Sequence, residues 1–287
     1  MLFSLLVTLR EGLEIALVVT ILLGYLRNVD QKRHFREIWL GTAAAAALSL
    51  GIGGALEVTS RELSGRVLGA FEGFTMLFAV AILTWMVFWM KRQSAGISRE
   101  LRHRVDSALS GGSVIALALL AFSSVAREGI ETALFLFAGS TSSGSGVQFA
   151  LGGVAGFAIA AAAGIVLYYG AARLPLKQFF FVTGIAVVVL AAGMLANSFA
   201  ALHEAALLTN LGSRPWDTES FIPMTSTMGK FLHTLLGYDS APAVSQLAAY
   251  WSYLVIVLGV YVLMPAGTPP RAQAPRPESA AGVTAER

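Results

Sequence analysis

Seven apolar segments limit what this chain can fold into. Each is close to or above the roughly 20 residues that a helix needs to cross the hydrocarbon core of a bilayer. The segments lie at about 2–26, 37–57, 67–90, 113–138, 147–170, 179–208 and 244–264. The sequence therefore predicts an all-α polytopic membrane protein with seven transmembrane helices.

The composition favours the same class. The chain is 56% hydrophobic and 13% charged, whereas an ordinary soluble domain is about 45–50% apolar and about 25% charged. It contains no cysteine, which excludes disulfides, thiolate metal sites and thiol catalysis. With four histidines, a histidine-rich zinc or copper site is hard to build. The first segment lacks the basic start and cleavage pattern of a signal peptide, so we expect it to be retained as a helix.

Basic residues between the segments predict the orientation, because Lys and Arg are enriched in cytoplasmic loops. Fourteen such residues fall on one side and four on the other: Arg27, Lys32, Arg33, Arg36, Lys91, Arg92, Arg99, Arg102, Arg104, Arg173, Lys177, Arg271, Arg276 and Arg287 against Arg61, Arg66, Arg214 and Lys230. We expect the N-terminus outside and the C-terminus in the cytoplasm. The protein would then lie in the cytoplasmic (inner) membrane.

Two regions fall outside the apolar segments. Residues 1–264 form the predicted membrane domain, and the tail at 265–287 is rich in Pro, Ala and polar residues, which predicts a disordered cytoplasmic tail. The 209–243 loop is long for a connector, and its stretch TSTMGKFLHTLLG predicts a short interfacial helix outside the membrane.

A charged motif occurs twice inside apolar segments. REGLE at 10–14 lies in the first segment and REGIE at 127–131 lies in the fourth. A charge at the bilayer centre costs roughly 2.5–3.5 kcal/mol. An odd number of crossings separates the copies, so the two helices run in opposite directions. This predicts two inverted repeats, about 1–90 and 113–208, with the seventh helix outside them; transporters built this way place substrate sites near the midplane.

The motif spacing places its carboxylates together. Glu11 and Glu14 share one helix face, and Glu128 and Glu131 share the corresponding face of the antiparallel helix. Four carboxylates that converge need a cation or protons to neutralise them. Oxygen ligands without thiolate suit a hard cation.

Arg10 and Arg127 offset half of that negative charge. As an alternative, each arginine simply neutralises the glutamate four residues later within its own helix. That order is less favourable than Glu before the basic residue, and two copies in antiparallel helices favour a functional site. Each motif also has a glycine after its first glutamate, Gly12 and Gly129, which favours close helix packing or an ion beside the backbone.

Further acidic residues lie toward the predicted outer ends of the segments. Glu72, in the third segment, is followed by Gly73 and is the deepest of them. Glu72 and Glu204 are further candidate metal ligands, and together with Glu57, His203, Asp217 and Glu219 they would form a negatively charged access path for the ion. The alternative for Glu57 and Glu204 is that they are interface residues.

No enzyme signature was found in the sequence. His203-Glu204 begins like a zinc-protease HExxH motif, but residue 207 is leucine, and no nucleophile–base pair, phosphate loop or dinucleotide fingerprint occurs. Trp85 and Trp89 are most simply interface or packing residues. We expect neither an enzyme nor a nucleic-acid partner.

These features resemble the oxidase-dependent iron permeases of fungi and bacteria. The resemblance is carried by the paired R-E-G-[LI]-E motifs in the first and fourth spans, by seven spans with an external N-terminus, and by ALHEAALL, PWDTES and LLGYDSAPAVSQLAAYWSYL, which look like the bacterial branch. It covers residues 1–264.

The resemblance implies a permease that imports iron, typically ferric iron supplied by a partner oxidase on the outer side. Arg10, Glu11, Glu14, Arg127, Glu128 and Glu131 match the motif residues, Glu72 the acidic residue of the third span, and His203-Glu204 the polar end of the sixth. Iron is then the substrate, without a permanently bound cofactor. The expected partners are a separate extracytoplasmic iron oxidase or delivery protein and membrane lipid, and an oligomer is left open.

Three alternatives remain at this point. The first is a proton-coupled transporter: an exporter, an antiporter or a carrier of another hard divalent cation. In such a protein the glutamates would titrate as proton carriers. An intramembrane enzyme lacks an identifiable nucleophile or metal triad. A receptor or sensor would not need two costly charged helices.

Overall fold

The computed structural model describes residues 1–93, 97–110, 114–140, 146–170, 176–208 and 212–265. These residues form helices and short connections, with no β-strand among them. The helices are α1 (Leu2–Asn28), α2 (Phe35–Glu62), α3 (Gly65–Gln93), α4 (Ile97–Ser110), α5 (Val114–Ser140), α6 (Gly146–Tyr168), α7 (Leu176–Glu204), α8 (Thr227–Leu236), α9 (Val244–Tyr253) and α10 (Gly259–Leu263). A π-helical turn, Leu254–Leu258, joins α9 to α10.

Within the described residues, five helical segments are long and apolar enough to cross a membrane: α2, α3, α6, α7 and the continuous segment from Val244 to Leu263. The prediction of a polytopic all-helical membrane protein is confirmed at this level. The motif helices α1 and α5 are equally long, 27 residues each, but each has three charged motif residues in its central part. That these two also cross remains a prediction.

The long helices associate in pairs. α1 packs mainly against α6, α5 against α2, and α3 against α7, while α1 and α5 also contact each other. If α1, α2 and α3 are exchanged with α5, α6 and α7 in that order, the same set of helix pairs results. The last helical segment packs against α7.

Two apolar clusters show how α1 and α5 are arranged. One cluster joins Phe3 and Val7 of α1 to Phe135 of α5, together with side chains of α3 and α7. The other joins Leu22 of α1 to Leu117 of α5, together with α2 and α4. The start of α1 thus packs beside the end of α5, so the helices are antiparallel. Both motifs lie between the two clusters.

One additional helix and several helix boundaries differ from the sequence prediction; α2, for example, ends at Glu62 instead of 57. A helix, α4, occupies most of the 91–104 region and the residues after it, which were predicted to be a loop. α7 ends at Glu204 instead of 208, because Ala206 has a left-handed φ of 58° and the Leu207 and Leu208 amides both donate to the Leu202 carbonyl. This arrangement satisfies helix-end carbonyls.

The helix predicted in the 209–243 loop is confirmed as α8. Its first turn is capped by the Ser226 hydroxyl, which accepts from the Gly229 amide at 2.9 Å, and it ends at Gly237 with a left-handed φ of 65°. Its interfacial position stays a prediction. The predicted disordered tail lies almost entirely outside the described residues.

Candidate cation site

The antiparallel packing of α1 and α5 brings three motif glutamates together. Carboxylate oxygens of Glu11, Glu128 and Glu131 lie within 4.8 Å of one another, and all three residues are buried. Glu14 is also buried, but it is not a member of this group. The sequence predicted four converging carboxylates, and three of them form the group that could hold one ion.

Arg10 is sealed inside the protein beside these carboxylates, with 2% of its surface exposed. Its guanidinium lies 2.7 Å from Glu11 Oε1 and 3.3 Å from Glu14 Oε1. It also donates to Met86 Sδ of α3 at 3.4 Å. Arg10 therefore bridges both glutamates of its own motif, as the local-neutralisation alternative requires.

Arg127 occupies the same motif position in a different environment. Its side chain is 36% exposed, and its guanidinium lies 2.5 Å from Glu128 and 3.7 Å from Glu131. The charge sits 4.2 Å from the centroid of the Trp89 ring, a cation–π contact. Trp89, interpreted from the sequence as an interface or packing residue, therefore also contacts a motif arginine.

Local pairing does not satisfy the carboxylates. One oxygen of each of the four motif glutamates is buried without a hydrogen-bond partner; that of Glu14 lies 3.3 Å from the Arg10 guanidinium. Buried polar groups are normally paired, and a buried charge without a partner is costly. Four carboxylates against two guanidiniums leave excess negative charge. Three buried carboxylates, each with an unpartnered oxygen, are a donor set suited to a hard cation.

The motif glycines serve helix packing. A Cβ at Gly12 would lie 2.8 Å from Ala160 Cβ of α6, and a Cβ at Gly129 would collide with the Ser49 hydroxyl of α2. Gly73 is pressed in the same way against Leu202 of α7. Of the two roles predicted for these glycines, close packing is the one that the described contacts support.

The predicted residues outside the motifs lie away from the buried group. Glu72 is half-buried and close enough to the exposed Glu204 for the two charges to repel. His203 is exposed, and its Nδ1 lies 2.7 Å from the Leu208 carbonyl. These three residues cluster at the end of α7 and the start of α3.

The other predicted access residues have local partners. Glu57 pairs with Arg61 at 3.0 Å, and both are exposed, as the interface alternative expects. Asp217 accepts from the Glu219 amide at 2.8 Å, and the Glu219 carboxylate accepts from the Met224 amide at 3.2 Å. Their role in collecting an ion stays a prediction.

Sequence reasoning did not identify Met86 and Tyr261 as neighbours of the site. Met86 contacts Arg10 directly, and Tyr261 shares a cavity with it. Both lie on apolar helices without a motif, so no local pattern could have marked them.

The fold and the site define a class: an all-helical, multi-pass membrane protein with a buried acidic cluster between two antiparallel helices. The chain belongs to the iron permease FTR1 family, whose model matches residues 1–268. The resemblance drawn from the motifs is confirmed.

Three relatives show the extent of the similarity. The ferrous iron permease EfeU of Escherichia coli O6:K15:H31 (strain 536 / UPEC) is 38% identical over 271 residues, 94% of this chain and 96% of that protein. The protein of the same name from Shigella sonnei (strain Ss046) is 38% identical over 277 residues, 96% and 98% of the two chains. That of Yersinia pestis is 35% identical over 265 residues, 92% and 94%. No solved structure matches.

Proposed function

We propose that this protein imports iron across the cytoplasmic membrane and that Glu11, Glu128 and Glu131 bind the ion in transit. The observation that carries the proposal is the buried group of three carboxylates within 4.8 Å, each with an oxygen that lacks a hydrogen-bond partner. Family membership and the relatives' names support iron as the ion.

The pairing of the helices supports an inverted repeat. Contacts of α1 with α6 and of α5 with α2 are equivalent if α1–α3 and α5–α7 are related by an axis in the membrane plane. The site then lies where the halves meet, between α1 and α5. Transporters with this architecture bind their substrates there and expose the site alternately to the two sides.

The oxidation state of the ion is a separate question. The sequence resemblance implies ferric iron supplied by an oxidase, whereas the three relatives are named ferrous iron permeases. Three carboxylates with excess negative charge can bind either ion, the hard ferric ion or the borderline ferrous ion. Uptake of each form without an added protein also tests whether an extracytoplasmic oxidase or delivery protein is needed.

The test is radioactive iron uptake into proteoliposomes, with ferrous and ferric iron supplied separately. Glu128→Gln keeps the side-chain volume but removes one ligand charge, so we expect the initial rate to fall by about tenfold or more. The matched control is Glu100→Gln, which removes an exposed carboxylate paired with Arg104 and should leave the rate unchanged.

Two results would contradict the proposal. One is an uptake rate that Glu128→Gln leaves unchanged, because the carboxylate group would then not be the site. The other is manganese uptake that competes fully with iron and is coupled to protons, which favours the alternative of a proton-coupled carrier of another divalent cation.

A further inference from the structure

Arg10 contacts both the motif glutamates and a separate cavity. On one side its guanidinium contacts Glu11 and Glu14. On the other it lines a cavity of about 520 Å³ between α3, α7 and α10. None of the motif glutamates lines this cavity in the described part of the chain. Arg10 therefore lies between the cavity and the glutamates of its own motif.

The cavity leads away from Arg10 along α3. Val87, Met90 and Lys91 of α3 line it in order along the helix, and Gln178 of α7 and Tyr261 of α10 contribute to the opposite wall. Gln178 is exposed. The cavity thus connects the buried arginine to the end of α3 and the start of α7, the side that the basic loops predict to be cytoplasmic.

Tyr261 is held in place at the wall of this cavity. Its hydroxyl donates to the Phe180 carbonyl at 3.2 Å, and its own carbonyl accepts from Lys91. It is also close enough to Arg10 for an electrostatic interaction. The hydroxyl oxygen and the Gln178 amide oxygen are hydrogen-bond acceptors that a displaced guanidinium can use.

The two motif arginines differ in exposure, as a closed gate and an open gate would differ. Arg10 is 2% exposed, whereas the Arg127 side chain is 36% exposed. Both are paired with glutamates of their own motif, so pairing does not account for the difference. In a protein with inverted halves, the closed side of one half corresponds to the open side of the other.

We propose that Arg10 is a gate between the carboxylate group and this cavity, and that a cation bound to Glu11, Glu128 and Glu131 drives its guanidinium into the cavity. The proposal rests on the proposed function. Arg10 holds one oxygen of Glu11, and the ion would bind the other, which has no hydrogen-bond partner. Two cations on one buried carboxylate repel strongly, because little solvent screens them. Movement of Arg10 into the cavity relieves this repulsion and opens Glu11 toward the cavity.

The chain contains no cysteine, so single introduced thiols report directly on this movement. Val87→Cys places a thiol in the cavity wall, and Met90→Cys is a second position there in case the first variant does not fold. Each is reconstituted into proteoliposomes and labelled with a small, charged thiol reagent, with and without saturating iron. We expect iron to slow labelling by about tenfold, as the guanidinium then occupies the part of the cavity next to the thiol in most molecules.

The matched control on the same helix is Arg92→Cys, at an exposed position at the end of α3 outside the cavity, where iron should not change the labelling rate. A second background, Arg10→Gln with Glu14→Gln, removes one positive and one negative charge and keeps all three ligands. There, Val87→Cys should label at the same rate with and without saturating iron.

Iron uptake is measured on the same vesicles, so that the two proposals fail separately. Uptake with no change in labelling at Val87→Cys and Met90→Cys would overturn the gate and leave iron transport standing. Slowed labelling that persists without Arg10 would also overturn it, because the thiol would then be protected by something other than the guanidinium. Absence of iron uptake and binding by the otherwise unaltered protein would overturn both proposals.

Discussion

At the scale of single residues, the two motifs are alike in sequence and unlike in environment. Arg10 reaches Met86 and is sealed, whereas Arg127 stacks on Trp89 and stays partly exposed. Both neighbours belong to α3, which contacts the two motifs through different side chains. The different state of the two arginines therefore comes from one packed helix and not from the motifs.

The four motif glutamates are not equivalent. We expect Glu14→Gln to lower the initial rate of iron uptake by no more than about threefold, or roughly 0.7 kcal/mol, because Glu14 is paired with Arg10 and is not in the ligand group. Glu11→Gln removes a ligand and should lower the rate by about tenfold or more. Both are measured in proteoliposomes at matched protein content. Equal losses would mean that all four carboxylates bind the ion.

At the scale of helices, the α1–α6 contact depends on small residues. We expect Gly12→Ala to destabilise the fold by about 1–3 kcal/mol, the usual cost of overpacking, because its methyl group would lie 2.8 Å from Ala160 Cβ. The measurement is the midpoint of denaturant unfolding in detergent. Gly24→Ala is the control on the same helix: nothing lies within 4 Å of the added methyl. It should be neutral or stabilising by up to about 1 kcal/mol. A similar loss in both variants would contradict the packing role.

Helix α4 shows why an amphipathic helix is missed when segments are chosen by hydropathy. Its residues are mostly polar, but Leu101 and Val105 are four apart and both buried against the end of α1 and the start of α5. The Tyr25 hydroxyl donates to Asp106 at 2.5 Å and ties α4 to α1. Two buried positions on one face are enough for a helix when a neighbouring surface is already present.

At the scale of the whole molecule, the orientation is open to a direct test. An impermeant thiol reagent added outside intact cells should label Ser64→Cys, in the exposed connection between α2 and α3, but not Asn28→Cys, at the exposed end of α1. The reason is the excess of Lys and Arg in the 27–36 loop, which is expected to stay in the cytoplasm. Breaking the cells should make Asn28→Cys reactive. The opposite pattern would invert the topology and reverse the direction assigned to the cavity beside Arg10.

The sequence by itself determined the helical membrane class, the identity of the candidate ligands and the family. Long apolar segments are compatible with few structures other than membrane-spanning helices. Charged residues inside such segments are too costly to be there without a role. Only the tertiary structure decided that three of the four glutamates form one group, that Arg10 is sealed while Arg127 is not, and that Met86, Trp89 and Tyr261 surround them. These properties depend on how side chains from distant helices pack at one place, and the spacing of residues along one helix carries no information about that.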